Sequence, residues 1–495
     1  MRVIIPKKID LIESSITEDY SDWSASATYA SGEKAYCLYS DYDELLSYGD
    51  CTFDRFSAET AGWSYDGPNS QYDCDGSQTT TSSLYQTVSF TSGLKYLVQF
   101  EVKNYSAGSI QGYVGGGTGT DVSADGTYQQ VVTASNSDSA AGVKVSSDFV
   151  GSVTNVSCKR MSTLSSKRIY ESQVGSNVGN FPATDSGSNW VKFSASNQWK
   201  MFDDFTTSQT ETTETLQVKV DSSKCDAIAL FNTEGVSVDV IVTNNNISTT
   251  STSSITVGTG SKTLTVASTA RLLTGNTIIA EDQSDFENYI LGTITDITGS
   301  DVTVTVTDTG GSGTISTWNV TYVYSATEHS LYQPECVSWS DYFFADIRFN
   351  SSLTDTFTAD FNTSCRVKIT GSAGQMVKCG HMLVGRTREL GDSQWGLQAG
   401  ISDYSKKEEN SFGETYLEQG NWAKKLNYDI QIDNDSFDTV YQILSQIRAI
   451  PCAYDANNES TSYSALIAYG TYEDFDVTLP GPVKSICTLE IQGLI

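Results

Sequence analysis

Histidine is the side chain most often asked to move a proton at neutral pH, and this chain has two, His329 and His381. No HExxH, GxSxG or paired-histidine pattern accompanies them, so neither zinc hydrolysis nor the common serine-hydrolase signature is supported. Cys379-Gly380-His381 is the nearest approach to a nucleophile and its base. Residues two apart on a strand share a face, but no third member orients the pair. Both histidines therefore read as structural. Gly258-Thr259-Gly260-Ser261-Lys262-Thr263 has the glycines and lysine of a phosphate loop without its spacing, and no helix pattern follows it. It reads as a hairpin turn. Asp73-Cys74-Asp75-Gly76 places alternate carboxylates before a glycine, but the further oxygen ligands of a calcium loop do not follow. Carboxylates are too numerous to mark a glycosidase pair. The expectation is no catalytic residue, no metal ligand and no cofactor.

The aromatic residues offer a better chemistry. Trp63, Tyr65, Asp66, Asn69, Tyr72, Gln111 and Tyr113 mix rings with amides and a carboxylate. Sugars present apolar C–H faces that stack on such rings and hydroxyls that need such polar groups. These seven are the candidate carbohydrate-binding residues. The competing reading makes Trp63 and Tyr72 plain core residues.

The elements that must position them are strands. Of 495 residues only 18% are charged, and the abundance of Ser, Thr, Gly, Asn and Tyr suits short strands and turns. The 60 acidic and 30 basic residues give a net charge of −30, which repels phosphate backbones and argues against nucleic acid as a partner. No apolar run is long enough for a membrane helix, so no membrane insertion is expected. The N-terminal residues lack the apolar core of a secretion signal. The ten cysteines form no CxxC pair and read as buried thiols of a reducing compartment.

One β-unit reads as cut in two: WSASATYASGEKAY at 23–36 and its match at 167–193, separated by a Gly/Ser/Thr-rich stretch. A domain inserted into a loop leaves this pattern. Strands at 8–12-residue spacing between 85 and 159 predict an antiparallel sandwich or jelly roll. A second insertion is read at 248–318. It has one hairpin of 254–257 with 263–266 and another of 290–297 with 302–306 around Gly299-Ser300. The strand 319–324 would then pair with 236–242. One helix is predicted over 436–448, with Phe437, Val440, Tyr441, Leu444 and Ile447 on one face, Asp435 or Ser436 as cap and Pro451 as stop. The expected fold class is mainly β and multidomain: a discontinuous β-scaffold with one C-terminal α-helix and two inserted β-sandwich or β-barrel-like modules. The scaffold occupies 1–37, 164–247 and 319–495. The jelly-roll, carbohydrate-binding-like domain occupies 38–163 and the small β-module 248–318.

Three scaffold runs carry a resemblance: NFPATDSGSNWVKFSASNQWKMFDD from Asn180, CGHMLVGRTRELGDSQWGLQAGISDYSKKEENSFGE from Cys379, and YGTYEDFDVTLPGPVKSICTLEIQGLI from Tyr469. Together the scaffold resembles a tailed-bacteriophage virion protein of the tail or tail tip. The run FEVKNYSAGSIQGYVGGGTGTDVSADGTYQQVVTA resembles the carbohydrate-binding-module-like jelly rolls of phage proteins. The 248–318 module is similar to one that recurs in tail and fibre proteins. The resemblance implies a structural component of the virion, at the tail tip or baseplate, assembled in the host cytoplasm. Its partners would be other tail proteins, copies of itself and host-surface glycans. No activity is implied. A tail-associated polysaccharide depolymerase and a capsid or neck decoration protein are the alternatives.

Overall fold

The computed structural model describes all residues except 25, 41, 137–138, 334–337, 345–347, 359, 395, 410–414, 457–462, 479–482 and 495. The protein is mainly β and multidomain, and its chain forms two compact units. One is Glu18–Ser196; the other joins Met1–Thr17 to Asn197–Ile495.

In the unit Glu18–Ser196, two five-stranded antiparallel sheets make the jelly roll. The first runs in the order Gly117–Thr118, Ile110–Val114, Ala140–Val145, Ser82–Thr87, Ser57–Ala58. The second runs Gly126–Thr133, Lys95–Ala107, Val150–Arg160, Gln71–Asp75, Trp63–Asp66. Alternation explains the packing. Along Lys95–Ala107 the side chains of Val98, Phe100 and Val102 are fully buried, and they meet Leu84, Ile110, Val114 and Val143 of the other sheet. A third sheet closes the divided β-unit: Lys167–Ser172 lies between Lys34–Leu38 and Trp190–Ala195, with Ile169 opposite Tyr36. Tyr29 and Asn177 exchange backbone hydrogen bonds, and buried Trp190 meets Tyr29 edge-on at 5.0 Å. Both halves of that β-unit lie in the same compact unit as the jelly roll. The unit boundaries thus fall at 17/18 and 196/197, outside the 37/38 and 163/164 junctions read from composition. Gln129 of the jelly roll donates to the Leu38 carbonyl at 3.1 Å.

The other unit holds an eleven-stranded and a nine-stranded sheet. In the eleven-stranded sheet the strand Arg2–Pro6 lies between Met376–Glu389 and Cys452–Asp455. The helix Phe437–Gln446 packs Val440, Ile443, Leu444 and the following Ile447 onto Leu426, Tyr428, Ile430 and Ile432 of the strand Trp422–Asp433. Two details depart from the sequence reading. Tyr441 is 54% exposed, stacked on Phe437 and edge-on to Phe475, while Ile443 takes the buried place. Ser436 makes no capping hydrogen bond, because Asn434–Ser436 already forms a 3₁₀ turn leading into the helix. A further helix of 6 residues, Trp339–Phe344, was not anticipated.

The second module is built into the nine-stranded sheet. Trp318–Ser330 pairs with Ser237–Ser251 from Ser237 opposite Ser330 to Ser251 opposite Trp318, and Thr277–Asp282 then adds to its far side. The hairpin around Gly299-Ser300 forms, with Thr298 opposite Asp301 and Gly299 at φ 64 supplying the tight bend. The hairpin expected between 254–257 and 263–266 does not. Ile255–Thr256 pairs with Thr314–Ile315, and Gly260–Thr265 pairs with the strand Asp301–Gly310. The two segments share a period-2 pattern that fits any partner, and no two-residue turn ties them to each other. The long-range pairing buries Leu264 with Val302, Val304 and Val306.

One polar network joins this module to its sheet. Arg366, with a side chain 1% exposed, donates to Glu281 Oε1 at 2.6 Å, to Gln217 Oε1 at 2.9 Å and to the Phe286 carbonyl at 2.8 Å. Lys219 donates to the other oxygen of Glu281 at 2.6 Å. The Arg366 guanidinium lies over the rings of Phe286 and Tyr289. Burial alone would raise the Glu281 carboxyl, but Arg366 and Lys219 outweigh it and hold the group below its ordinary value. Replacing Arg366 by Met leaves buried Glu281 with Lys219 as its one remaining cation of this network, and the expected cost is about 3 kcal/mol, read as a lower denaturation midpoint. In the native protein the Glu281 contribution is complete above the ordinary glutamate value of 4.5 and is lost as pH falls through the depressed native one. A Glu281→Gln variant should show a flatter acid limb in stability measured against pH.

Candidate functional site

Alternation along Ile110–Val114 sends Ile110, Gly112 and Val114 into the jelly-roll core and turns Gln111 and Tyr113 outward, half-buried. The strand Ser82–Thr87 does the same with Tyr85, which sits between buried Leu84 and Gln86. The strand Ala140–Val145 runs between these two. Its Gly142 lies opposite Tyr113 on one side and Tyr85 on the other. Directly opposed residues share a face, so two tyrosines stand two strand spacings apart, roughly 10 Å, with no side chain between them. The next row carries Gln111, Lys144 and Ser83. The Lys144 ammonium lies 5.5 Å from the Tyr113 ring centroid. Two ring faces, an amide and an ammonium thus converge on one exterior sheet face. That combination can stack the apolar side of a sugar and hydrogen-bond its hydroxyls.

Gly142 is required there by close approach. A Cβ would lie 2.1 Å from the Leu84 carbonyl oxygen and 3.0 Å from Tyr85 Cα.

The seven residues singled out from sequence do not form one site. Gln111 and Tyr113 lie on this face, but Trp63, Tyr65, Asp66 and Tyr72 belong to two strands of the other sheet. Tyr72 is a core residue, 3% exposed. Its hydroxyl donates to Asp54 at 2.8 Å and accepts from the amides of Arg55 and Phe56. Burial, with Asp54 beside it, pushes that hydroxyl up to about 12. Trp63 packs partly on the core and donates its indole N–H to Ser82 at 3.2 Å. The Tyr65 hydroxyl donates to the Cys51 carbonyl. Asp66 caps the 3₁₀ turn Gly67–Asn69, taking both the backbone and the side-chain N–H of Asn69. Sequence reading missed Tyr85 and Lys144. Strand alternation marks both as outward, but only the register brings them beside Tyr113.

The other motifs resolve as structure. Among the described residues the His381 ring makes no hydrogen bond to a side chain. Its Nδ1 lies 2.7 Å from the Asp203 carbonyl oxygen and its ring stacks on Tyr469 at 4.0 Å. Burial lowers the imidazole to about 4, and burial raises the Cys379 thiol to about 12. Neither is in the protonation state that a thiolate–imidazolium pair requires. His329 lies 3.2 Å from Asp355. Asp73 accepts from Gln71 and Asp75 from the Ser77 amide, and no cluster of three metal-ligating side chains occurs among the described residues. The nine described cysteines are all buried, and none forms a disulfide.

No protein-family model matches the sequence, and comparison with curated proteins returns no relative.

The Gly142 geometry gives a direct expectation. A Gly142→Ala substitution forces the two strands apart and should cost about 1–3 kcal/mol, measured as a drop in the thermal midpoint.

Proposed function

We propose that this protein is a structural component of a tailed-phage virion, at the tail tip or baseplate. It assembles with other tail subunits and presents the Tyr85–Tyr113 face of its jelly roll to host-surface glycans. The single observation that carries the assembly reading is a ribbon of strands rich in exposed apolar side chains. Among the described residues Lys406–Glu409 pairs with Thr415–Glu418 and no other strand, and the preceding strand Gln398–Asp403 pairs with Trp422–Asp433. Ile401, Tyr416 and Leu417 there are 66%, 61% and 76% exposed. An isolated two-stranded ribbon is marginal in water, and exposed apolar clusters mark interaction surfaces. A neighbouring subunit supplies the missing cover. The resemblance of the three scaffold runs to tail proteins supports the same reading, as does the splicing of a whole compact unit between Thr17 and Asn197. A module set into a loop in this way adds a surface without altering the sheets that receive it.

Glycan contact follows from the row of tyrosines. Single sugar sites of this kind are weak, but many copies on one particle multiply them roughly 10²–10⁴-fold.

A map of the intact virion tests the location: copies of this chain should surround the tail axis at its distal end, and a particle without them overturns the proposal. Particles carrying Tyr85→Ala with Tyr113→Ala should assemble in normal yield and adsorb to host cells roughly a hundredfold more slowly. Unchanged adsorption would remove the face as a glycan contact.

A further inference from the structure

The unit formed by residues 1–17 and 197–495 contains a pocket of about 470 Å³, within the range of roughly 300–1,000 Å³ common for small-molecule sites. Its apolar wall is aromatic. Phe231 and Tyr469 are 4% and 6% exposed and lie 5.6 Å apart, while Trp422 at the mouth is 53% exposed. The remaining lining is neutral and polar. The side chains of Thr207, Ser351, Ser352, Gln419 and Asn421 make no hydrogen bond among the described residues, and neither does the Trp422 indole N–H.

Two contrasts sharpen what could bind. The chain as a whole carries 60 acidic residues, yet no carboxylate is among the described residues lining this pocket. That lining gives a metal cation or a basic peptide no charged ligand. Its cation, Lys424, donates its ammonium to the carbonyls of Ser464 and Ile467 at 2.7 and 2.8 Å, so it is not held out for an anion. By comparison, the depression bordered by Glu44 and Asn155 in the other unit has its polar groups satisfied internally. Glu44 accepts from the amides of Leu45, Leu46 and Cys158 and from the Ser157 hydroxyl, and Asn155 donates to Glu101. Aromatic faces together with unpartnered neutral donors and acceptors match a ligand that has an apolar ring face and many hydroxyls.

We propose that this pocket is a second carbohydrate site, in the scaffold unit and independent of the jelly roll, which takes a neutral sugar stacked on Trp422 and hydrogen-bonded by Gln419 and Asn421. The sugar ring covers the exposed indole. The hydroxyl and amide groups of the wall replace its water shell, while the lining offers no free counter-charge for a charged ligand.

Saturation-transfer NMR of the full chain with glucose, galactose, N-acetylglucosamine and their β-linked disaccharides tests the site. At least one sugar should bind with millimolar affinity, and Trp422→Ala should weaken it ~10-fold. Trp422→Phe retains a stacking face and should keep most of the affinity, so a loss confined to the alanine variant reports stacking and not misfolding. The Tyr85→Ala, Tyr113→Ala variant should keep this binding intact, which separates the pocket from the jelly-roll face. The proposal is overturned if no sugar of the panel binds, if Trp422→Ala binds as well as the native chain, or if binding disappears only with the two tyrosines.

Discussion

A guanidinium with 1% of its side chain in contact with water organises the nine-stranded sheet. Arg366 sits on the strand Thr363–Thr370, and its partners come from two directions: Gln217 from the neighbouring strand Thr215–Asp221, and Glu281 and Phe286 from the inserted module. Removing charge from water is costly, so a buried arginine persists only where carboxylate, amide and carbonyl converge on it. That convergence is possible only in one register. Sliding Thr277–Asp282 by one residue would turn Glu281 to the opposite face and leave the guanidinium without its counter-charge. The apolar pairs Leu264–Val302 and Ala280–Ile290 tolerate several alignments in principle. The ion pair does not, and it specifies which of them is native.

The same logic governs the jelly roll with different chemistry. There the register is enforced by close approach, since Gly142 leaves no room for a Cβ beside the Leu84 carbonyl. The absent side chain has two effects at once. It lets the strands close, and it leaves a gap between Tyr85 and Tyr113. A backbone constraint between neighbouring strands thereby shapes the exterior face on which both tyrosines stand.

How much of this was legible in the residues depends on the range of the interaction. Alternation in Tyr96-Leu97-Val98-Gln99-Phe100-Glu101-Val102 marked a strand, and the Gly299-Ser300 turn marked its hairpin, because both signals are local. The helix near 437 was legible through its apolar stripe, although Tyr441 was placed on the wrong side of it. The divided β-unit was legible because its two halves share a turn and aromatic pattern, and Tyr36 does lie opposite Ile169. Non-local pairing was not legible. The segment 254–257 carries the same alternation as its true partner and its false one. The seven candidate sugar contacts are not gathered in one place for a related reason: composition put Trp63 and Tyr72 with Gln111 and Tyr113, whereas the topology assigns them to different sheets. The pocket beside Trp422 gathers residues from near 207, 231, 351, 421 and 469, and no sequence window spans those distances.

The placement of Arg2–Pro6 between Met376–Glu389 and Cys452–Asp455 bears on how the molecule comes into being. Both sheet neighbours of this strand lie far downstream of it in the chain, and the Arg2–Asp455 ion pair closes across 453 positions. That strand has both edges bare until Met376–Glu389 is made, whereas the three sheets within residues 18–196 are built only from strands of that range. The spliced unit can therefore mature early on the nascent chain, and the sheet that holds Arg2–Pro6 completes only once Cys452–Asp455 and the strands that follow it have been made.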